Sequence, residues 1–210
     1  MSLFFASDYH FRHANIIKYC NRPFNSVDEM NEALVANWNS VVTDADTVYF
    51  IGDLSMSFNA GKEFAPRLNG KKIIILGNHD EAFPKKSDPT RKLRQPGRYL
   101  QIGFSEVHLQ LFLPLTLNGK NYNVQLCHFP FIPPAEENPN PHDLRYLDFR
   151  PEDKGQILFH GHVHQHYLKK GRQINFSCDV WNFTPVSIPQ IEKVIADERD
   201  FIGSYTDLPH

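Results

Sequence analysis

The sequence predicts an α/β (α+β) fold in which two mixed β-sheets pack against each other between helices, as a four-layer αββα sandwich. In the first half, short apolar runs rich in β-branched and aromatic residues alternate with helical patterns, which favours parallel βαβ units. In the second half, turn residues separate the apolar runs, which favours hairpins. We therefore expect parallel strands early in the chain and antiparallel strands later.

Helical spacing and capping signals predict three helices. Ser26-Val-Asp-Glu29 matches a capping box, and apolar residues follow it at helical spacing, so a helix is predicted over residues 27–40. A second helix is predicted over residues 60–68. A third is predicted over residues 190–202, where isoleucine and valine residues form a partial apolar stripe.

Turn signals predict two hairpins and one long loop. Asn118-Gly119 lies between two runs with strand propensity, which is a strong hairpin signal. A second hairpin is predicted to turn within residues 169–172. Residues 133–151 are rich in proline and poor in apolar residues, so we expect a surface loop beside the functional site. Because the residues after this loop could hardly build a core alone, we predict one domain over residues 1–210.

The composition argues against several classes of function. The chain has 210 residues, a hydrophobic fraction of 41% and a formal net charge of −2, which suits a domain with a substantial core. A near-neutral chain is not expected to bind nucleic acids or membranes through its overall charge. Since the amino terminus lacks a signal-peptide pattern and no apolar run reaches membrane-spanning length, a cytoplasmic location is predicted.

The cysteines do not indicate a disulfide framework or a structural zinc finger. Cys20, Cys127 and Cys178 are odd in number, lie far apart and form no CxxC motif. Free cysteines are among the most buried residues in proteins. We therefore predict that all three are small buried hydrophobic residues.

Potential metal ligands follow five of the predicted strands, at the point where each strand ends. Because open α/β sheets bind ligands beyond the carboxyl ends of their strands, we expect these side chains to form one site. Carboxylates, imidazoles and an amide oxygen suit hard or borderline divalent ions such as Mn, Fe, Zn or Ni. The residues at these strand ends are Asp8, His10, Asp53, Asn78, His79, Asp80, His128, His162 and His164.

The segment 160–166 carries a histidine at every second position. An extended chain advances about 3.3 Å per residue, so the four imidazoles would span roughly 20 Å and cannot all bind one ion. Two ions in a shared site lie about 3.5–4 Å apart. An adjacent pair of these histidines could therefore serve two neighbouring ions, and the spacing leaves open which pair it is.

The motifs at the strand ends resemble, in chain order, those of the calcineurin-like metallophosphoesterases. The segment SDYHFRHANIIKYCNRPF also resembles the beginning of small bacterial and phage members of that family. Any one motif would be weak evidence, whereas five in order are specific. The motifs are Asp8-x-His10, Gly52-Asp53, Gly77-Asn78-His79-Asp80, Cys127-His128 and Gly161-His162-x-His164.

The resemblance implies a fold of the metallophosphoesterase type with two divalent metal ions, between which Asp53 forms a bridge. It also implies that His162 and His164 are the ligand pair, each on a different ion. We expect His160 to end its strand as a packed residue, and His166 to begin the next strand and point away from the ions. The implied ligands are Asp8, His10, Asp53 and His164 for one ion, and Asp53, Asn78, His128 and His162 for the other.

The implied activity is metal-dependent hydrolysis of phosphoester bonds by a hydroxide held between the two ions. His79 would stabilise the transition state or protonate the leaving oxygen, and Asp80 would orient its imidazole. A phosphodiester or nucleotide-like substrate is the first hypothesis, and a phosphomonoesterase is the alternative. A non-catalytic scaffold and a nucleic-acid-binding module with structural metals are further alternatives on the same fold.

Three residues near the first motif are predicted to contact the substrate. His13, Asn15 and Arg22 could reach a phosphate, with a salt bridge to a nearby acid as the alternative for Arg22. A basic run follows the GNHD motif and is either a solvated face or a positive rim that attracts an anionic substrate. The expected partner is a phosphorylated small molecule, nucleotide or nucleic acid, without a membrane or an obligate protein partner. The basic run comprises Lys85, Lys86, Arg91, Lys92, Arg94 and Arg98.

Overall fold

The computed structural model describes residues 1–84, 97–134, 145–197 and 199–201. Across these ranges the strands form two sheets of five strands each. The first sheet has the order β10-β1-β2-β3-β4, in which β1 to β4 are parallel and β10 is antiparallel to β1. Its strands are β1 (Leu3–Ala6), β2 (Thr47–Phe50), β3 (Lys71–Ile75), β4 (Phe104–His108) and β10 (Val186–Ser187).

The second sheet has the order β5-β6-β7-β9-β8. Its strands are β5 (Gln110–Leu117), β6 (Lys120–Cys127), β7 (Leu158–His160), β8 (Lys169–Lys170) and β9 (Gln173–Asn175). Two mixed sheets are therefore confirmed. The expectation of antiparallel strands late in the chain holds for β5, β8 and β10 at the sheet edges, whereas β6, β7 and β9 are parallel to one another.

Both predicted hairpins are present. Asn118 (φ 48°) and Gly119 (φ 74°) join β5 to β6, and positive φ at both central residues is the backbone of a type I′ turn. β8 and β9 form the second hairpin, which turns at Gly171 (φ 55°). The proline-rich loop is described only at its two ends, where residues 147–149 form a 3-10 turn. Residues 135–144 lie outside the described ranges.

The helices flank the sheets as the fold class predicts. The predicted helix over residues 27–40 is confirmed as α2, and the side chain of Ser26 accepts a hydrogen bond from the backbone of Glu29. α3 begins two residues before the prediction because Ser57 caps it, and residues 65–67 continue as a 3-10 turn. The helices are α1 (Ala14–Tyr19), α2 (Val27–Val41), α3 (Phe58–Phe64), α4 (Gly97–Gln101) and α5 (Ile188–Ala196).

The last helix is shorter than the sequence predicts. α5 begins at Ile188, where a proline occupies the first turn, and it ends at Ala196 instead of continuing to residue 202. The chain then returns to the second sheet, where Phe201 pairs with Lys169 in an isolated bridge. The gain from that pairing outweighs the partial apolar stripe, and residue 202 lies outside the described ranges.

Two apolar cores hold these layers together. One lies between the sheets, where the buried rings of Phe5 and Phe159 meet edge to face with centroids 5.1 Å apart. The other lies between the first sheet and the helices, where Trp38 packs against Phe50. All three cysteines are free and buried, as predicted. No helix in the described ranges is long and apolar enough to cross a membrane.

Candidate metal centre

The loops that follow β1 and β2 are tied together beside the predicted ligands. The backbone N–H of Asp8 donates to the carbonyl of Gly52 at 3.0 Å, and that of His10 donates to the carbonyl of Asp53 at 3.1 Å. On the other side of the site, the N–H of Gly161 donates to the carbonyl of His128 at 3.0 Å. These bonds extend each sheet beyond its strands and bring the strand-end side chains together.

Five of the seven predicted ligands have a left-handed backbone. Positive φ is uncommon outside glycine and costs of order 1–3 kcal/mol at each residue, so the surrounding structure must impose it. Such strain concentrates at functional sites, and nothing in the sequence pattern predicted it. The residues are Asp8 (φ 59°), His10 (φ 53°), Asp53 (φ 57°), His162 (φ 71°) and His164 (φ 48°).

The glycines that precede three of the motifs allow the loops to approach each other closely. A Cβ atom at Gly52 would lie 2.6 Å from the backbone nitrogen of Gly77 and from Nδ1 of His128. A Cβ atom at Gly77 would overlap the carboxylate of Asp53, and one at Gly161 would overlap the hydroxyl of Ser7 and the carboxylate of Asp8. Any side chain at these positions would therefore displace a predicted ligand.

One group of ligand atoms gathers around the carboxylate of Asp8. Nε2 of His10 lies 3.8 Å from Oδ1 of Asp8 and 3.6 Å from Oδ2 of Asp53. Nε2 of His164 lies 4.0 Å from the same oxygen of Asp8. Because metal–ligand bonds are about 2.0–2.2 Å long, two atoms on one ion lie at most about 4.4 Å apart. These four side chains therefore fit the first predicted ion.

A second group adjoins the first through Asp53. Its Oδ2 lies 3.4 Å from Nε2 of His128, so this one oxygen faces a histidine of each predicted ion. Oδ1 of Asp53 instead accepts a hydrogen bond from the backbone of His79 at 2.8 Å. The predicted bridge between the two ions would therefore run through Oδ2 of Asp53.

The other two predicted ligands of the second ion lie beside this group. Oδ1 of Asn78 is buried and has no hydrogen-bond partner. The ring of His162 lies 5.3 Å from the ring of His128, and its backbone N–H donates to Oδ2 of Asp8. Among the described residues, ligand atoms of Asp8, Asp53 and His128 all lie within 4.8 Å of one another, and His162 is not a member of that group.

Several potential ligand atoms in this centre are buried and have no hydrogen-bond partner. Leaving a buried polar group unsatisfied costs about 1–3 kcal/mol, so a cluster of such atoms needs a reason. Their chemistry, which combines carboxylate and amide oxygens with imidazole nitrogens, fits a hard or borderline divalent ion. The atoms are Oδ1 of Asp8, Nδ1 and Nε2 of His10, Oδ1 of Asn78 and Nε2 of His128.

The remaining atoms of these ligands are held by hydrogen bonds that aim the free atoms inward. Oδ2 of Asp8 accepts from the hydroxyl groups of Ser7 and Ser177, both at 2.7 Å. Nδ1 of His128 lies 2.8 Å from the carbonyl of Ile51, which leaves Nε2 for an ion. Such outer hydrogen bonds fix the tautomer and orientation of metal-binding histidines.

Arg22 and Asp179 form a buried ion pair behind the first group. The guanidinium of Arg22 donates to both carboxylate oxygens of Asp179, and it also donates to the carbonyls of Asp8 and Tyr9. Its side chain is 0% exposed. The predicted substrate contact for Arg22 is therefore wrong, and the alternative of a salt bridge to a nearby acid is correct.

Asp179 also lies 2.9 Å from Nδ1 of His164. Although burial opposes a charged ring, the hydrogen bond to Asp179 raises the pKa of His164 well above its usual value. Cys20 lies close enough to join these two residues in a third group of potential ligands, but Arg22 already neutralises the carboxylate. Ser177 and Asp179 were not predicted from the sequence, although they lie two and four residues beyond the end of β9 and so fit the same strand-end pattern.

Asp80 acts on the backbone of two loops. Its Oδ2 accepts hydrogen bonds from the backbone N–H groups of Asp53 and Gly77. Its Oδ1 accepts hydrogen bonds from the backbone N–H of Leu54 and the hydroxyl of Tyr99. A carboxylate has about four acceptor positions, and these bonds fill them. The predicted role of Asp80 in orienting the imidazole of His79 is therefore wrong. Burial and the neighbouring charge of Asp53 raise the pKa of Asp80 to about 7.

His79 and His13 lie at the open side of the centre. The ring of His79 lies 5.2 Å from the ring of His10 and 6.5 Å from that of His13, and both side chains are partly exposed. Burial, followed by the charge of a protonated His79, lowers the pKa of His13. Asn15 is exposed on α1. The predicted substrate contacts of His13 and Asn15 remain predictions.

The two outer histidines of the 160–166 segment do not join the centre. His160 ends β7 as predicted and is fully buried, with Nε2 3.3 Å from the hydroxyl of Tyr167. His166 is exposed, but it lies in a 3-10 turn over residues 164–166 and does not begin β8, which starts at Lys169. The turn forms because His164 has a left-handed backbone, which an extended strand cannot include.

Burial and mutual charge give the histidines of the two groups different pKa values. Burial lowers the pKa of His10 to about 4. Burial acts in the same direction on His128, but the charge of Asp53 outweighs it and raises the pKa of His128 to about 9. Charges of His128 and His10 overcome the burial of Asp53 and hold its pKa well below the usual range. The two central carboxylates are therefore ionised and ready to bind cations.

Comparison with known proteins decides the family. A family model described as calcineurin-like phosphoesterase matches residues 1–166. The chain belongs to this family. The resemblance seen in the five motifs is thereby confirmed, and the two mixed sheets with flanking helices are the fold expected of a calcineurin-like phosphoesterase.

Similar members of the family come from an archaeon, a phage and a bacterium. An uncharacterized protein, MJ1445 of Methanocaldococcus jannaschii, is 38% identical, and the alignment covers 98% of this chain and 97% of that protein. The gene 66 protein of Mycobacterium phage L5 is 30% identical over 84% of this chain and 86% of its own length. The crystal structure of AQ665 from Aquifex aeolicus, described as a protein of unknown function, superposes with a TM-score of 0.63 at 25% identity. It covers 92% of this chain and 98% of that chain.

Proposed function

We propose that this calcineurin-like phosphoesterase is a metal-dependent phosphohydrolase with a binuclear centre, and that it acts on a phosphodiester or nucleotide-like substrate. One observation carries this proposal. Buried ligand atoms of Asp8, His10, Asn78 and His128 have no hydrogen-bond partner, and Nε2 of His10 and Nε2 of His128 lie 3.6 Å and 3.4 Å from Oδ2 of Asp53. Two bound divalent ions would supply a hydroxide nucleophile near neutral pH and neutralise the phosphoryl oxygens.

The protein residues would position the ions and handle the leaving group. Asp8, His10 and His164 would hold the first ion, His128, Asn78 and His162 would hold the second, and Asp53 would be shared. The backbone of His79 is fixed by Oδ1 of Asp53, which places its imidazole beside the first group and on the open side. From there Nε2 or Nδ1 of His79 would donate a proton to the leaving oxygen. A cytoplasmic location remains part of this proposal.

The test measures metal content and hydrolysis on the same preparations. The purified protein should contain two divalent ions per chain and hydrolyse bis-nitrophenyl phosphate in preference to nitrophenyl phosphate. Asp53→Ala should lose both ions and all activity. His79→Ala should keep the ions and lose about 10²–10⁴-fold in kcat, which is the usual contribution of general acid catalysis.

A matched control is available in His108, whose ring pairs with Glu106 outside the metal centre. His108→Ala should keep both ions and full activity. If the fully metallated protein hydrolyses neither ester nor any compound of a nucleotide and nucleic-acid panel, the phosphohydrolase proposal is wrong. If the protein prefers the monoester, it is still a phosphohydrolase, but its substrate class is a phosphomonoester and the proposed diester substrate is wrong.

A further inference from the structure

A groove of about 340 Å³ is lined on one side by His79, and none of the predicted metal ligands lines it. The loop that leads from β2 into α3 forms one wall, and the first turn of α4 contributes Arg98 to the other. Arg98 is the last member of the basic run, whose other members lie outside the described ranges. Arg98 therefore lies in the same groove as His79 and could contact a substrate at the proposed reaction centre.

The guanidinium of Arg98 lies over an aromatic ring in this groove. Its guanidinium carbon lies 3.8 Å from the centroid of the Phe58 ring, and its Nη1 donates to Oε1 of Glu81 at 2.7 Å. Its side chain is still 41% exposed, so part of the guanidinium plane faces the solvent. A guanidinium that is fixed in this way forms a planar surface on which another planar group can stack.

Among the described residues that line the groove, the charges favour a neutral occupant. Glu81 pairs with Arg98, so this pair offers no net positive charge to a second phosphate. Met56 is 42% exposed at the edge and adds apolar surface, and Asn59 is exposed beside it with an amide that can bind a polar ring edge. Stacking surface, apolar surface and an amide together suit a heterocyclic base.

The position of the groove relative to His79 identifies which part of the substrate it would receive. In an in-line displacement the leaving group departs opposite to the attacking oxygen, and the group that protonates it must lie on its side. His79 lines the groove, so a leaving oxygen within reach of His79 continues into it. We infer that the groove formed by Phe58, Arg98, Met56 and Asn59 binds the nucleoside leaving group of a phosphodiester, with the base stacked on Arg98. This inference rests on the proposed phosphohydrolase function.

The test uses a ligand without phosphate, so that binding is measured apart from hydrolysis. Fluorescence anisotropy of etheno-adenosine is recorded with the metal-loaded protein, and adenosine and ribose are added as competitors. Adenosine should compete and ribose should be at least tenfold weaker. Because stacking on a side chain contributes about 1–3 kcal/mol per base, Arg98→Ala should weaken binding by at least about fivefold. Phe58→Leu should weaken it in the same direction.

Arg67 provides a matched control. Its guanidinium lies 5.3 Å from the Phe64 ring and pairs with Glu32, and its side chain is 39% exposed, but it does not line the groove. Arg67→Ala should leave the affinity for etheno-adenosine at the wild-type value. Thermal unfolding of all three variants checks that they are folded. Equal affinities for Arg98→Ala and wild type, or equal competition by ribose and adenosine, would overturn the inference.

The outcomes for the groove and for the enzyme are separable. If the protein hydrolyses diesters but adenosine binding does not depend on Arg98, the proposed phosphohydrolase function stands and the groove is rejected as its nucleoside site. Arg98-dependent binding without any hydrolysis would reject the phosphohydrolase and the leaving-group assignment together. Both signals together would support the full inference. In that case Arg98→Ala should raise the KM for a dinucleoside monophosphate, relative to wild type, by a larger factor than it raises the KM for bis-nitrophenyl phosphate.

Discussion

Asp179 accepts a hydrogen bond from Nδ1 of His164 at 2.9 Å, and thereby directs Nε2 of that ring towards Oδ1 of Asp8. The same carboxylate is clamped by Arg22, which also binds the backbone carbonyl of Asp8. Asp8 and His164, the predicted ligands of the first ion, are thus joined through one buried ion pair. A contact outside the metal centre therefore controls the geometry inside it.

Asp179→Asn should selectively weaken the first ion. The amide cannot hold Nδ1 of His164 as a carboxylate does, and losing such a supporting partner usually costs 10–100-fold in metal affinity. Metal titration followed by competition with a chelator should resolve one weakened site and one normal site. The surface carboxylate Asp28, which pairs with Arg12, offers the control Asp28→Asn. Equal loss at both sites would indicate general unfolding, and two normal sites would contradict the assignment.

Gly161→Ala should destabilise the metal-free protein by about 1–3 kcal/mol, as overpacking of a buried site does. The new methyl group would overlap the hydroxyl of Ser7 and the carboxylate of Asp8. Urea unfolding in the presence of a chelator gives the free energy of unfolding without a metal contribution. Gly97→Ala is the control, because a Cβ atom there has no heavy atom within 4 Å. A Gly161→Ala protein as stable as Gly97→Ala would show that the loop relaxes freely.

Divalent ions should raise the thermal midpoint of unfolding in proportion to the logarithm of their concentration. A ligand that binds only the folded state stabilises it by about 2.7 kcal/mol when its concentration is 100 times Kd. Divalent ions are expected to bind only the folded protein because folding brings two buried carboxylates together, those of Asp8 and Asp53, which are 0% and 2% exposed. Differential scanning fluorimetry with and without a chelator measures the shift. Asp153→Asn, which alters a surface ion pair with Arg172, is the control and should respond like wild type. If the unfolding curves of wild type with chelator and with added ions are identical, the metal centre is refuted.

Asp46 should contribute an acid-sensitive part of the stability. Its carboxylate accepts hydrogen bonds from the backbone of Ser2 and from the hydroxyl and backbone of Thr43, and these bonds lower its pKa to about 2. Because the folded-state pKa lies below the unfolded value near 4, the stabilisation is present above about pH 4 and is lost as the pH falls towards 2. The stability difference between wild type and Asp46→Asn should shrink over that interval.

The measurement for Asp46 is urea unfolding of the metal-free proteins at a series of pH values. Asp44→Asn serves as the control, because Asp44 is an exposed carboxylate two residues away. Its stability difference from wild type should not follow the course seen for Asp46→Asn. A difference for Asp46→Asn that stays constant from pH 5 to pH 2 would show that these hydrogen bonds do not favour the charged form.

Local sequence signals were sufficient where neighbouring residues determine the structure. The capping box at Ser26 fixes the beginning of α2, and Asn118-Gly119 fixes a turn whose positive φ values few other residues adopt. The strand-end positions of Asp8, Asp53 and His128 followed from apolar runs of strand length. The family resemblance then supplied the assignment of His162 and His164, which spacing alone had left open.

Contacts between distant segments determined the rest. Arg22 pairs with Asp179, 157 residues further along the chain, and this pair turned a predicted substrate contact into a support for the metal centre. Asp80 fills its acceptor positions with backbone groups from two loops, and so it does not serve His79. The groove beside His79 exists only because α4 brings Arg98 onto Phe58.

The sequence by itself determined which residue types stand at the strand ends, and hence which kinds of ligand atom this calcineurin-like phosphoesterase offers to a metal ion. The tertiary structure decided which of those atoms are left without a hydrogen-bond partner, because hydrogen bonds from other loops engage the opposite atoms. The pattern of apolar and polar side chains along the sequence repeats about every two to four residues, so it indicates only local structure. Asp8, Asp53 and His164 have a left-handed backbone that the surrounding structure must impose, and no local pattern encodes it.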